Sequence, residues 1–226
     1  MALILNIETT TTNCSVSLSK EGETLVLKED YNSNYSHAET LHVFIADVLK
    51  EAALKKEDLD AVGVSKGPGS YTGLRIGVSA AKGLCFALDI PLISVSTLEA
   101  LSHQVDAKRG VVIPMLDARR MEVYSAVFNS SFEIQREIQA EVLDDDSYSE
   151  WLHQGQVYFV GNGVEKTKEI VTHENAIFKE GVLPSASTMG RISEKKFKTN
   201  NFEDVAYFEP YYLKDFVALK SKKPNF

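Results

Sequence analysis

The spacing of hydrophobic and polar positions changes several times along the chain, and each change marks an element. Residues 3–7 are apolar apart from Asn6 and read as a buried strand. Over 13–19, Cys14, Val16 and Leu18 alternate with Ser15, Ser17 and Ser19, the period of two expected of a half-buried strand. Glu21-Gly22-Glu23 turns the chain into a third strand over 24–31, so the opening reads as an antiparallel meander. Residues 33–36 then lead into a helix over 36–53, whose apolar positions Leu41, Phe44, Ile45, Val48, Leu49 and Ala52 form one amphipathic stripe. A strand at 59–64, a Gly67-Pro68-Gly69 loop, a helix at 72–88, a strand at 91–95 and a helix at 96–105 follow. This order predicts a mixed sheet with helices packed on it.

A second unit starts near Gly110. Strands are expected at 111–116 and 121–128, around Asp117-Ala118-Arg119-Arg120, and at 133–142. A short helix over 144–151, a strand at 157–160, a Gly161-Asn162-Gly163 turn, a helix at 164–171 and a last helix at 185–198 complete it. Beyond Asn200 the chain is irregular and aromatic. The two halves share an order of three strands and then alternating helices and strands, without a residue-level repeat, so the element order alone suggests duplication. The division is residues 1–105, 106–204 and a terminal stretch 205–226.

Composition narrows the class. With 44% hydrophobic and 25% charged residues the chain is an ordinary globular one, long enough for two lobes. A net charge of −8 gives no basic footprint for nucleic acid, so any RNA is expected to be held mainly by a partner. No apolar run reaches the roughly 20 residues of a membrane span, and the N-terminus lacks a basic leader segment, so a cytoplasmic location is expected. Cys14 and Cys85 fall inside a strand and a helix and read as packed, reduced thiols.

The most informative stretch is 66–78, Lys-Gly-Pro-Gly-Ser-Tyr-Thr-Gly-Leu-Arg-Ile-Gly-Val. Ser70 or Thr72 is placed to cap the helix that follows. Gly73 and Gly77, with Ala80, Ala81 and Leu84, lie on nearly one face, although each glycine costs a helix interior about 1 kcal/mol. Such a stripe demands a close neighbour, either this chain's own sheet or a second molecule. The glycines do not fit a Walker loop, and the nearest later lysine is Lys82. Glu8, Thr9 and Thr10 open a hydroxyl-rich turn that either approaches nucleotide phosphates or is simply a polar hairpin. Asp117, followed by Arg119 and Glu122, is either part of that nucleotide cleft or the first residue of a β-turn. His37 and His42 are roughly 140° apart around one helix and do not make a metal pair. No complete catalytic set emerges.

The strings Ile4-Leu5-Asn6-Ile7-Glu8-Thr9-Thr10, 67–78 with Ala81-Lys82-Gly83-Leu84, Val95-Ser96-Thr97-Leu98-Glu99-Ala100-Leu101, Asp117-Ala118-Arg119 with Glu122-Val123-Tyr124, and Pro210-Tyr211-Tyr212-Leu213-Lys214 resemble the TsaB (YeaZ) family of bacterial tRNA threonylcarbamoyladenosine biosynthesis. The resemblance implies an α/β actin-like ATPase (ASKHA) fold of two related lobes, each a mixed sheet with packed helices. It implies a non-catalytic adapter that binds the catalytic relative TsaD and helps dock the ATPase TsaE, is either a homodimer or a monomer when alone, meets tRNA mainly through the complex and needs no cofactor or metal. The metal-binding histidines of TsaD fall on Thr97 and Leu101 here, and neither side chain replaces an imidazole donor. The implied partner surface is formed by the helices over 36–53 and 72–88, with His37, Leu41, Ile45, Gly73, Leu74, Gly77, Ala80, Ala81 and Leu84. Glu8, Thr9, Thr10 and Asp117 would be vestiges of the nucleotide site, and the terminal stretch would return to the first lobe. The alternative is an enzyme acting alone, an actin-like-fold ATPase or a metallopeptidase.

Overall fold

The computed structural model describes residues 2–31 and 37–214. The helix lead-in at 33–36 and the stretch 215–226 of the expected terminal return lie outside the described residues. The first sheet contains β1 (Leu3–Glu8), β2 (Cys14–Lys20), β3 (Glu23–Asp30), β4 (Ala61–Gly67) and β5 (Leu92–Ser96) in the order β3-β2-β1-β4-β5. The second contains β6 (Val111–Asp117), β7 (Glu122–Asn129), β8 (Ile134–Val142), β9 (Val157–Val160) and β10 (Ala176–Lys179) in the order β10-β9-β6-β7-β8. In each sheet the first three strands are antiparallel, and the fourth and fifth then add in parallel beside the first. The same topology therefore occurs twice. Strand β10 is an addition to the elements read from the sequence.

Helices α1 (His37–Glu51) and α2 (Tyr71–Leu88) cover one face of the first sheet, where Leu3, Leu5, Ile7, Val16, Leu18, Val62 and Val64 meet Leu41, Val48, Val78 and Ala81. The other face is covered by a 3-10 turn at Ala186–Thr188 and by α6 (Met189–Lys198). Helix α6 lies within 106–204 yet packs against the first sheet, through Met189 and Ile192 on Ile4, Ala61 and Ile93. This contact overturns the half-buried reading of β2, because Ser15, Ser17 and Ser19 are buried too. The Ser17 hydroxyl donates to the Ala186 carbonyl (2.8 Å), and Ser15 Oγ accepts from the Ala186 N–H (2.9 Å). Ser19 Oγ accepts from Asn6 Nδ2 (2.9 Å), and Asn6 Oδ1 accepts from Ser193 (2.7 Å). Buried hydroxyls are tolerated when each finds such a partner.

Helix α3 (Thr97–Ser102) lies between the sheets, with Ala100 in the first core and Leu98 and Leu101 against Val112, Leu116 and Val160 of the second. Helices α4 (Ser149–Leu152) and α5 (Val164–Ile170) cover the remaining face of the second sheet, around Ile113, Met115, Val123 and Phe159. Residues 203–214 return along the first sheet. Glu203 N–H donates to Leu92 O (2.9 Å), Val205 and Phe208 pack on the first core, and Tyr211 N–H donates to Lys66 O (2.7 Å).

Candidate functional site

The Gly67–Gly77 segment closes over the β1–β2 hairpin. The Ser70 side chain caps α2 by accepting from Gly73 N–H (3.3 Å), and Ser70 N–H donates to Thr10 O (2.7 Å). A Cβ at Gly73 would lie 2.0 Å from Thr9 O, and one at Gly77 would lie 2.4 Å from Thr9 Oγ1. The close backbone that the glycine stripe demands is thus this chain's own hairpin. This corrects the expectation that Gly73 and Gly77 face a partner. The same holds for His37, Leu41, Leu74 and Ala81, whose side chains are buried within the fold. His37 Nε2 donates to the Thr11 carbonyl (2.7 Å), tying α1 to the same hairpin.

Ile45, Ala80 and Leu84 have a different position. Together with Ala38 and His42 of α1, and Tyr71, Thr72, Arg75, Ile76, Ser79 and Gly83 of α2, they line an open groove of about 760 Å³. Helix α2 therefore carries two apolar stripes one residue apart. Gly73, Gly77 and Ala81 point inward, while Ile76, Ala80 and Leu84 border the groove. Ile76 and Arg75 were missed in the sequence, although the i, i+4, i+8 spacing of Ile76, Ala80 and Leu84 was the available signal. Phe86 continues the outer face at 85% exposure, and Val43 of α1 is also exposed. A groove with this lining offers apolar area and close helix approach rather than chemistry.

The nucleotide residues read from the sequence are brought only partly together. Glu8 is fully buried, with Oε1 accepting from the Thr10 N–H (2.6 Å) and hydroxyl (2.5 Å), and Oε2 accepting from the Ser65 hydroxyl. Burial raises the Glu8 pKa, although the hydrogen bonds from Ser65 and Thr10 oppose the rise. The Thr9 hydroxyl donates to Gly73 O (2.8 Å). All three side chains are thus spent inside the chain, under the α2 N-terminus, which overturns their reading as phosphate contacts. Asp117 stands apart at the end of β6. Its Oδ1 accepts from Lys166 Nζ (2.9 Å) and from Arg119 N–H (2.5 Å), an arrangement that favours the β-turn reading over a metal or phosphate role. Lys166 also donates to Arg120 O (2.6 Å) and Glu122 O (3.0 Å), so the ammonium pins the whole turn.

Among the described residues, no three His, Cys, Asp or Glu side chains gather as a metal site. Thr97 and Leu101 are both buried in α3, and Thr97 Oγ1 has no hydrogen-bond partner. Burial pushes the Cys14 and Cys85 thiols up to about 12, so both are packed thiols rather than nucleophiles. No helix among the described residues is long and apolar enough to cross a membrane.

The TsaD family model, tRNA N6-adenosine threonylcarbamoyltransferase, matches residues 32–222. The tRNA threonylcarbamoyladenosine biosynthesis protein TsaB of Escherichia coli is 30% identical over 231 residues, covering 96% of each chain. The chain belongs to the TsaB (YeaZ) family. TsaB of Bacillus subtilis is 29% identical, covering 93% of each chain. The solved structure of YeaZ from Pseudomonas aeruginosa superposes with a TM-score of 0.81 at 25% identity, covering 94% of this chain and all of that one. The fold is accordingly the actin-like ATPase type, with its two lobes given by the duplicated five-stranded topology. These relatives are named as biosynthesis proteins, whereas the transferase name belongs to the TsaD model.

Proposed function

We propose that this chain is a non-catalytic adapter in the synthesis of threonylcarbamoyladenosine on tRNA, acting by docking TsaD. The observation that carries this reading is the α1–α2 groove, an open surface lined by Ile45, Ile76, Ala80 and Leu84. A stable partner interface buries about 800 Å² per side, and fully burying a residue such as Leu84 contributes about 1.5–3 kcal/mol. The same face serves a homodimer when TsaD is absent, because one groove cannot take both occupants. TsaE docks on the assembled pair, and tRNA is met mainly through the complex, as suits a chain of net charge −8. Catalysis belongs to the partner. Thr97 and Leu101 supply no metal ligands, and Glu8, Thr9 and Thr10 are consumed in internal hydrogen bonds. The working location is the cytoplasm, where tRNA is modified.

Reconstitution tests this reading. Purified chain, TsaD and TsaE are assayed for tRNA modification with each protein omitted in turn. The adapter requires modification to depend on both this chain and TsaD, with no modification and no ATP hydrolysis by this chain alone. ATP turnover or peptide cleavage by the isolated chain would instead support a self-sufficient enzyme.

A further inference from the structure

The stretch 203–214 does more than cover the first core. Lys82 Nζ donates to Ala206 O (3.1 Å) and Phe208 O (2.9 Å), fixing the segment alongside α2. The Tyr212 ring lies 5.0 Å from that of Tyr71. Between segment and helix is a second pocket of about 310 Å³, bordered by Arg75, Lys82, Phe208, Glu209 and Tyr212. Tyr71, Arg75 and Ser79 line both this pocket and the groove, so the two are adjacent.

Its charge is unusual for this chain, in which 32 acidic residues outnumber 24 basic ones. Arg75 and Lys82 lie seven positions apart on α2, about two turns, and so share one face. One Arg75 nitrogen, Nη1, donates to the Tyr71 hydroxyl (2.9 Å), and the guanidinium sits 5.3 Å from the centroid of that ring. Among the described residues no carboxylate reaches ion-pair distance of either cation, Glu209 included. A guanidinium braced by a tyrosine, with that as its one hydrogen bond among the described residues, is matched to a carboxylate.

We propose that this pocket receives an acidic side chain of the protein seated in the α1–α2 groove, with Arg75 as its main partner and the Lys82 ammonium adding to the field. The proposal rests on the adapter reading and gives the groove a charged end that sets the partner's register. Apolar burial supplies affinity along Ile76, Ala80 and Leu84, while the cationic pocket selects which end of the partner lies beside the terminal segment.

The test compares wild-type chain, Arg75→Glu and Arg75→Lys for binding to TsaD by calorimetry at about 0.05 M and about 1 M salt, where the screening length falls from over 10 Å to about 3 Å. Arg75 is exposed, so all three proteins should keep the same thermal midpoint. The expected result is a loss of about tenfold or more for Arg75→Glu at low salt, shrinking to about threefold or less at high salt, with Arg75→Lys losing less than Arg75→Glu because it keeps the charge but not the planar guanidinium. Binding of Arg75→Glu within about twofold of wild type at low salt overturns the pocket and leaves the adapter reading standing. Equal, salt-independent losses in both variants also overturn it, since they indicate packing and not charge. Failure of the wild-type chain to bind TsaD removes the adapter reading and the pocket with it.

Discussion

Gly73→Ala is the sharpest perturbation of the hairpin–helix junction. The new methyl would begin 2.0 Å from the Thr9 carbonyl oxygen, and real Cβ contacts do not fall below 3.0 Å, so helix and hairpin must part by about 1 Å. Two hydrogen bonds flank the intrusion, Thr9 Oγ1 to Gly73 O at 2.8 Å and Ser70 N–H to Thr10 O at 2.7 Å. A shift of about 1 Å takes both beyond the ordinary 2.7–3.2 Å range. Overpacking costs about 1–3 kcal/mol and the two bonds about 1 kcal/mol each, while alanine returns about 1 kcal/mol of helix propensity. The net loss is about 2–4 kcal/mol, or roughly 5–15 °C in Tm for a chain of this size. Gly83→Ala in the same helix is the control. Its added Cβ has no neighbour within 4 Å, so only the propensity gain of up to about 1 kcal/mol remains. Thermal and urea denaturation of both variants read the difference. If Gly73→Ala is as stable as wild type, or moves in the same direction as Gly83→Ala, the glycines do not face the hairpin and the inward stripe is wrong.

Two further predictions concern pH. The Glu8 pKa is raised above its ordinary 4.5 by burial, so the folded state holds a proton that the unfolded state has lost, and wild-type stability falls as pH rises from 4.5 toward the shifted value. Glu8→Gln keeps an acceptor for Thr10 and removes this dependence. Its advantage over wild type should therefore grow by up to about 1.4 kcal/mol per pH unit within that window, measured by urea titration at several pH values. A constant difference would contradict a raised Glu8 pKa. His103 has the opposite sign. Burial and the charges of Arg191 and Lys195 push its pKa from 6.5 down to about 4, so wild type loses stability as pH falls through that interval. His103→Phe keeps a ring against Phe132, which stacks at 3.8 Å, and should flatten the acid limb of the stability curve. An unchanged limb would refute the assignment.

Much of the fold was legible because its signals are local. The apolar run of β1, the amphipathic stripe of α1 and the capping serine of α2 each act within a few residues, and all appear in the structure. What failed depended on distant chain. Ser15, Ser17 and Ser19 read as a solvent face because nothing nearby shows that residues 186–193 will cover them. Strand β10 has only the four residues Ala176–Lys179 to announce it and exists by pairing with β9. The glycine stripe was recognised as a demand for a close neighbour, but spacing cannot say whose backbone answers it. Thr9 answered it, so the groove fell on the adjacent stripe, and only Ile45, Ala80 and Leu84 of the nine expected partner residues line it. The hydroxyl-rich turn after β1 was likewise visible as a motif, yet its closure beneath Gly69, Gly73 and Gly77 was not.

The central claim is that the α1–α2 groove binds TsaD, and Leu84→Arg tests it most directly. Leu84 is half-buried at the groove rim and packs in part on the first core, so the variant should lose some stability yet stay folded, as its thermal midpoint checks, while placing a charge in the apolar path. Size-exclusion chromatography with light scattering would be run on wild type and variant, each mixed with TsaD. The account predicts a one-to-one complex for wild type and separate elution for Leu84→Arg, with loss of reconstituted tRNA modification. A folded Leu84→Arg chain that still co-elutes with TsaD and supports modification would contradict it.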